Sequence, residues 1–237
     1  MYFKLVDFVR GYPYSLRNGI STGISHGLWT GVYDYDAPTQ LLKPDDRNHM
    51  HADLTQTIPH GVLYSMSAKN LAFNKKLVGV ALMQGLMGKD QPLGGYGDLI
   101  AGWASKVISD HIGIGVKSGA PYVHRKESSN PFTSLAHEFV GLFWQEEIVQ
   151  FFRNVKLSRE SKTASLAYLE LADKVSEELS HLHPYFQRLS KAMKIWVSLW
   201  ERRFGSTKGA YDCDNHVQII WNTHEGCIPS FLPVSPK

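Results

Sequence analysis

Two apolar stripes at helical spacing, separated by a single proline, constrain this chain more than any other feature. Tyr168, Ala172, Val175, Leu179 and Leu182 step by four, three, four and three residues, so one face of a helix carries them all. Phe186, Leu189, Met193, Trp196 and Trp200 make a second stripe of the same kind. His183–Pro184 stands between them, and proline neither continues a helix nor lets its predecessor stay helical. The pattern predicts an antiparallel helical hairpin over 156–203, packed through its stripes on the rest of the chain. A partner interface is the alternative use of such a face.

Residues 1–155 have a different texture, rich in Gly, Pro and aromatics with short apolar runs, which reads as strands and loops around a site. Gly61–Val62–Leu63–Tyr64–Ser65–Met66 is expected as a strand after the turn at Pro59–His60–Gly61. Ile112 to Val123 alternates glycine with β-branched residues and is expected as another. Between them Asp98 precedes Leu99, Ile100, Trp103, Val107 and Ile108 at helical spacing, with Asp98 placed to cap the first turn. Strand, helix, strand predicts an α/β layer. Residues 204–237 show neither pattern and read as a divergent, flexible tail.

Composition narrows the function. With 43% hydrophobic residues in 237, the chain can fill one core with attachments. Its net charge of +3 is spread without a basic stripe, so no nucleic-acid partner is indicated. No run of about 18 apolar residues marks a membrane span. Met1 to Val6 meets Asp7 and Arg10 too soon for a signal peptide. The only cysteines are Cys213 and Cys227, unlike a disulfide-stapled secreted scaffold. The chain is read as cytosolic.

Several residues carry candidate chemistry. Arg10 and Arg17 flank a turn-prone segment, and two guanidiniums there could clamp phosphate or carboxylate, or simply form surface salt bridges. Asp34 and Asp36 could share a divalent cation or cap the turn that Pro38 follows. His26 and Trp29 could meet a sugar or base, with Trp29 as a stacking platform, or be a buried Trp and a hydrogen-bonded His. Asp98 could serve as a general base as well as a cap. Cys213, His216, His224 and Cys227 fit a zinc pattern only in part. His49–Met50–His51 and His181–Leu182–His183 read as solvated turns.

Taken in order, these segments resemble one family. Asp7–Phe8–Val9–Arg10–Gly11–Tyr12–Pro13–Tyr14–Ser15–Leu16–Arg17, Ser25–His26–Gly27–Leu28–Trp29 and Asp34–Tyr35–Asp36–Ala37–Pro38–Thr39–Gln40 are similar to the UDP-arabinopyranose mutases, the plant reversibly glycosylated polypeptides. The similarity continues through Asn70–Leu71–Ala72–Phe73, Ala101–Gly102–Trp103, Ser129–Asn130–Pro131–Phe132 and Phe143–Trp144–Gln145–Glu146–Glu147–Ile148. It covers the chain from about Asp7 to Trp200. The resemblance implies a GT-A-like nucleotide-sugar fold and a cytosolic enzyme that interconverts the pyranose and furanose forms of UDP-arabinose. It implies association with other family members and with the Golgi surface, and a divalent cation, Mn or Mg. Arg10 matches the arginine that is reversibly glycosylated, and Arg17 a second arginine needed for activity. With Asp98 these are the candidate catalytic residues. His26, Trp29, Asp34, Asp36, Asn70 and Trp103 are the candidate UDP-sugar contacts.

The departures from the family are specific. The family's nucleotide-binding strands and acidic metal-binding triplet precede the position of Asp7, so the chain is expected to be an incomplete GT-A-like fold, as a truncated gene product would be. A tandem acidic pair is reduced here to Gly97 and Asp98. A histidine is replaced by Arg125, with His124 one residue away, a shift that reverses the facing of a strand side chain. Three functions stay open on this reading: an active mutase, an inactive homologue bound to intact mutase subunits, and a glycosyltransferase with an external acceptor.

Overall fold

The computed structural model describes residues 20–52, 55–86, 88 and 91–205. Among these residues are five strands: β1 (Thr22–Val32), β2 (Arg47–Asn48), β3 (Thr55–Thr57), β4 (Leu71–Phe73) and β5 (Gly115–Arg125). Six α-helices accompany them: α1 (Ala37–Leu42), α2 (Lys75–Val78), α3 (Gly97–His111), α4 (Pro131–Asn154), α5 (Ala164–Leu179) and α6 (Tyr185–Phe204). Short 3-10 turns cover Ala68–Asn70 and Gly79–Leu82. The α/β class and the helical hairpin expected from sequence are both present.

The sheet is mixed. Its spatial order is β2-β1-β5-β3, and β4 also pairs with β1. β1 and β5 run parallel, while β2 and β4 lie antiparallel to β1 and β3 antiparallel to β5. A parallel pair needs a crossover, and α3 lies in the connection, packing on β5. The register of β1 against β5 shifts between Gly27 and Leu28. Asn70 spans that shift: its Nδ2 donates to Leu28 O and to Pro121 O, both at 3.0 Å.

One core serves the whole described chain. Ile24 and Val116 from the sheet, Trp103 and Ile108 from α3, and Phe151 and Phe152 from α4 join Tyr168, Val175, Phe186 and Met193 of the hairpin in a single buried cluster. The stripes of α5 and α6 pack on each other and on the layer beneath, as their spacing predicts. The helices part at His183–Pro184, where Phe186 N–H donates to His183 O.

Three expectations are corrected. Gly61 to Met66 is not a strand. Val62 N–H turns back to Pro59 O at 3.3 Å, and the Gly61 N–H is drawn to Asp110 Oδ2 at 2.9 Å, which takes both groups from any ladder. Pairing falls instead on Thr55–Thr57. Asp98 is not the cap of α3: a turn closed by Tyr96 N–H to Leu93 O leads straight into the helix, so Tyr96 is the cap. Asp98 sits in the first turn and accepts from Leu99 N at 3.0 Å. Residues 131–154, placed among strands and loops by their texture, form the longest helix. Its start is nevertheless written in the sequence, because Asn130 Oδ1 accepts from Phe132 N and Thr133 N and Pro131 supplies a first residue preset for a helix.

Candidate functional site at the carboxyl ends of the parallel strands

The loops that leave the carboxyl ends of β1 and β5 carry most of the charged candidates. Asp34 follows β1 and its Oδ1 is held by Arg125 Nη1 at 2.8 Å and Lys69 Nζ at 3.0 Å. Arg125 also donates to Tyr33 O at 3.1 Å, so the guanidinium ties the last residue of β5 to the exit of β1. His124 turns to Thr30, with Nδ1 and Oγ1 3.1 Å apart. The one-residue exchange noted in the sequence therefore puts a permanent cation on Asp34.

Asp36 realises the capping alternative. Its Oδ1 accepts from Thr39 N at 2.8 Å and starts α1 with Pro38 in the first turn. The buried N–H of Ala37, at the start of that helix, donates to Glu138 Oε2 at 2.9 Å. Burial raises the pKa of the Glu138 carboxyl, the Ala37 N–H lowers it, and the charges of Asp36, Asp34 and Asp98 raise it again. Tyr96 lies in the same field. Burial, with Glu138 and Asp36, pushes its hydroxyl up to about 12, and it donates to Gln145 Oε1 at 2.8 Å. Asp34, Asp36 and Asp98 thus all act on Glu138 at this end of the sheet.

Glu138 is the site residue that sequence reasoning missed. Glu138, Gly141, Gln145 and Ile148 lie three, four and three apart and share a face of α4. That stripe is polar at two positions and glycine at a third, so it shows no apolar periodicity. Phe132, Phe139 and Phe143 meanwhile point to solvent, at 70%, 64% and 76% exposure.

His26 is buried on β1 beneath this cluster. The backbone N–H of Ser67 donates to its Nε2 at 3.2 Å. A backbone N–H can only donate, so in the neutral ring the proton sits on Nδ1 and points to Tyr64 Oη, 2.9 Å away. Tyr64 passes the chain on to Ser118 Oγ at 2.9 Å. Burial lowers the His26 pKa, against the pull of Asp34 and Asp98.

The remaining candidates are placed as follows. Trp29 is half-buried, with its carbonyl accepting from Asn48 Nδ2 at 2.6 Å. Asn70 spends both Nδ2 hydrogens on the strands, which leaves Oδ1 for any other contact. Trp103 is 5% exposed and packs at 5.8 Å from the Phe152 ring, so it stands apart from the charged cluster. Asp98 is half-buried and lines a cavity of about 560 Å³ with Met66, Met83, Trp196 and Trp200. Arg10, Arg17 and the Cys213–Cys227 segment lie outside the described residues.

The cation implied by the family does not fit what is present. Among the described residues no three His, Cys, Asp or Glu side chains approach closely enough to hold a metal ion. Asp34 Oδ1, Asp36 Oδ1 and Glu138 Oε2 are already engaged by the groups named above. Nor is any helix among the described residues long and apolar enough to cross a membrane.

The two ionisable groups at the heart of the site predict opposing pH effects on stability. Glu138 has a raised folded pKa, so the folded state holds its proton longer. Its contribution is present below the ordinary value of 4.5 and is lost as pH rises through the folded value. His26 has a lowered pKa, and its contribution is lost as pH falls below 6.5. Glu138→Gln keeps an acceptor for Ala37 and is expected to flatten the decline in Tm on the alkaline side of pH 4.5, measured by thermal melts across pH. An unchanged profile would remove Glu138 from the cluster's electrostatics.

The mixed sheet covered by helices puts the chain in the α/β class, with acidic groups near the ends of its parallel strands. A family model described as reversibly glycosylated polypeptide matches residues 1–204, and the chain belongs to that family. It is 52% identical over 200 residues to UDP-arabinopyranose mutase 2 of Arabidopsis thaliana, covering 84% of this chain and 56% of that protein. UDP-arabinopyranose mutase 1 of the same plant is 50% identical over 207 residues, covering 87% and 58%. UDP-arabinopyranose mutase 1 of Oryza sativa subsp. japonica is 48% identical over 206 residues, covering 87% and 57%. The chain therefore spans under three fifths of the length of these curated relatives.

Proposed function

We propose that this chain acts as a UDP-arabinopyranose mutase-like protein, exchanging the pyranose and furanose forms of UDP-arabinose through a sugar carried briefly on Arg10. The observation that carries the reading is the gathering of Asp34, Asp36, Asp98 and Glu138 at the carboxyl ends of β1 and β5, in a chain about half identical to proteins named for that activity. Carboxylates suit sugar hydroxyls, and ligands of open α/β sheets settle at that end. In this reading the fold is the GT-A-like one that the resemblance implies.

A guanidinium with a pKa above about 12 is a poor nucleophile. As its nitrogen bonds to the anomeric carbon and the bond to UDP breaks, a carboxylate must accept the departing proton. Asp98, half-buried in the first turn of α3, is the group assigned to that role. Arg17 would hold the freed diphosphate while the ring opens and recloses, and return of the sugar to UDP restores Arg10. The product would feed cell-wall polysaccharide synthesis from the cytosolic side of the Golgi.

Incubating the purified chain with labelled UDP-arabinopyranose is the test. Label on Arg10 that unlabelled donor chases away, together with UDP-arabinofuranose by chromatography, is expected. A folded chain that takes no label while a full-length relative does so in parallel would sink the proposal. The exposed Phe132, Phe139 and Phe143 favour a second reading, an inactive homologue that docks on intact mutase subunits. Co-sedimentation of the unlabelled chain with that relative would then be the positive result.

A further inference from the structure

The opposite end of α3 holds a second cavity, of about 400 Å³. Twelve residues separate Asp98 from Asp110, or about 18 Å along the helix, so this cavity is remote from the acidic cluster. Its walls include Val62, Val107 and Phe152, and its charged groups are Lys106, Asp110, Arg153 and Lys156. Three cations face one carboxylate.

One oxygen of that carboxylate, Asp110 Oδ2, is already engaged. Lys106 is 1% exposed, and its Nζ donates to Pro59 O at 3.1 Å and to Asp110 Oδ2. Asp110 Oδ2 receives the Gly61 N–H at 2.9 Å as well. An ammonium has three hydrogens, and among the described residues only these two acceptors meet it. Arg153 and Lys156 are exposed and have no ion-pair or hydrogen-bond partner among the described residues. A buried ammonium with a spare donor, next to two unpaired cations and an apolar wall, is an arrangement suited to a ligand with a charged head and an apolar body.

We propose that this cavity binds a small organic phosphate, its anionic group held by Arg153 and Lys156 above the buried Lys106 ammonium and its body against Phe152 and Val62. The inference does not rest on the mutase reading, since none of these residues belongs to the acidic cluster. A guanidinium can grip the phosphate oxygens in pairs, while the Lys106–Asp110 pair fixes the floor.

Titrating the full chain with phenyl phosphate, inorganic phosphate and phenol by calorimetry at low ionic strength tests it. Phenyl phosphate is expected to saturate, inorganic phosphate to bind more weakly and phenol not at all. The exposed-residue variant Arg153→Gln/Lys156→Gln should weaken phenyl phosphate about tenfold or more, and Asp34→Asn should leave it unchanged. Absence of saturation up to about 10 mM would overturn the proposal. So would equal affinity in the double variant, or a loss confined to Asp34→Asn, which would place the ligand at the other end of α3. Retained mutase labelling alongside lost phenyl phosphate binding would separate this site from the one proposed for UDP-sugar.

Discussion

Trp103→Ala is expected to cost about 3–5 kcal/mol of folding stability, the range for removing a buried indole. The ring is 5% exposed and meets Phe152 at 5.8 Å. Its removal opens a void where the sheet, α3 and α4 come together, and neighbours fixed on three elements cannot collapse into it. Urea unfolding followed by circular dichroism measures the loss as a lower midpoint. Trp103→Phe keeps an aromatic ring against Phe152 and should lose only about 1–2 kcal/mol. The same residue matches a family motif and was a candidate sugar contact, so the experiment has a second reading built in. If Trp103→Ala kept its unfolding midpoint while losing UDP-sugar binding, the ring would be a ligand platform and the packing argument would fail.

Gly27→Ala is expected to cost about 3 kcal/mol or more, from overpacking plus lost hydrogen bonds. A Cβ at Gly27 would stand 2.2 Å from Pro121 O and 2.3 Å from Asn70 Nδ2. One of those atoms is backbone of the neighbouring strand and cannot step aside. The other belongs to the amide that bonds Leu28 O and Pro121 O. Asn70→Ala alone should lose about 1–3 kcal/mol, because two carbonyls give up their donor. The double variant should cost less than the sum of the singles, since removing the amide relieves half of the clash. Strict additivity, or an Asn70→Ala within about 0.5 kcal/mol of the parent, would show that Asn70 does not clamp the two strands.

These two positions also show what the sequence can and cannot convey. The hairpin was legible because apolar residues at three- and four-residue steps share a face only on a helix, and the proline between them interrupts it. Strand β5 was legible from its alternation, and the capping role of Asp36 from its place before Pro38. Trp103 and Asn70 were legible as notable but not as structural, since whether a side chain faces a ligand or a neighbouring strand depends on pairing across about 50 residues of chain. Asn70 bonds Pro121, 51 positions away. Helix α4 was hidden for a related reason. Its inward face reads Glu138, Gly141, Gln145 and Ile148, and its outward face carries three phenylalanines, so the usual inside-out contrast is reversed. Glu138 therefore entered the site only through its contact with Ala37, which is 101 residues distant.

That reversal gives α4 an uneven grip. Ile148, Phe151 and Phe152 hold its later half in the core, whereas its first turns rest on α1 and on the Glu138 bond to Ala37, with Gly141 seated on the Tyr96 ring, where a Cβ would come within 2.4 Å. Amide hydrogen exchange should record this as a gradient along one helix, rapid from Phe132 to Val140 and slow from Ile148 to Asn154, because opening the first stretch exposes little apolar area. Each such opening lifts Glu138 away from Asp36 and Asp98 while the fold stays intact. With that gradient measured, the acidity of the site would be governed by a segment that opens locally, without global unfolding.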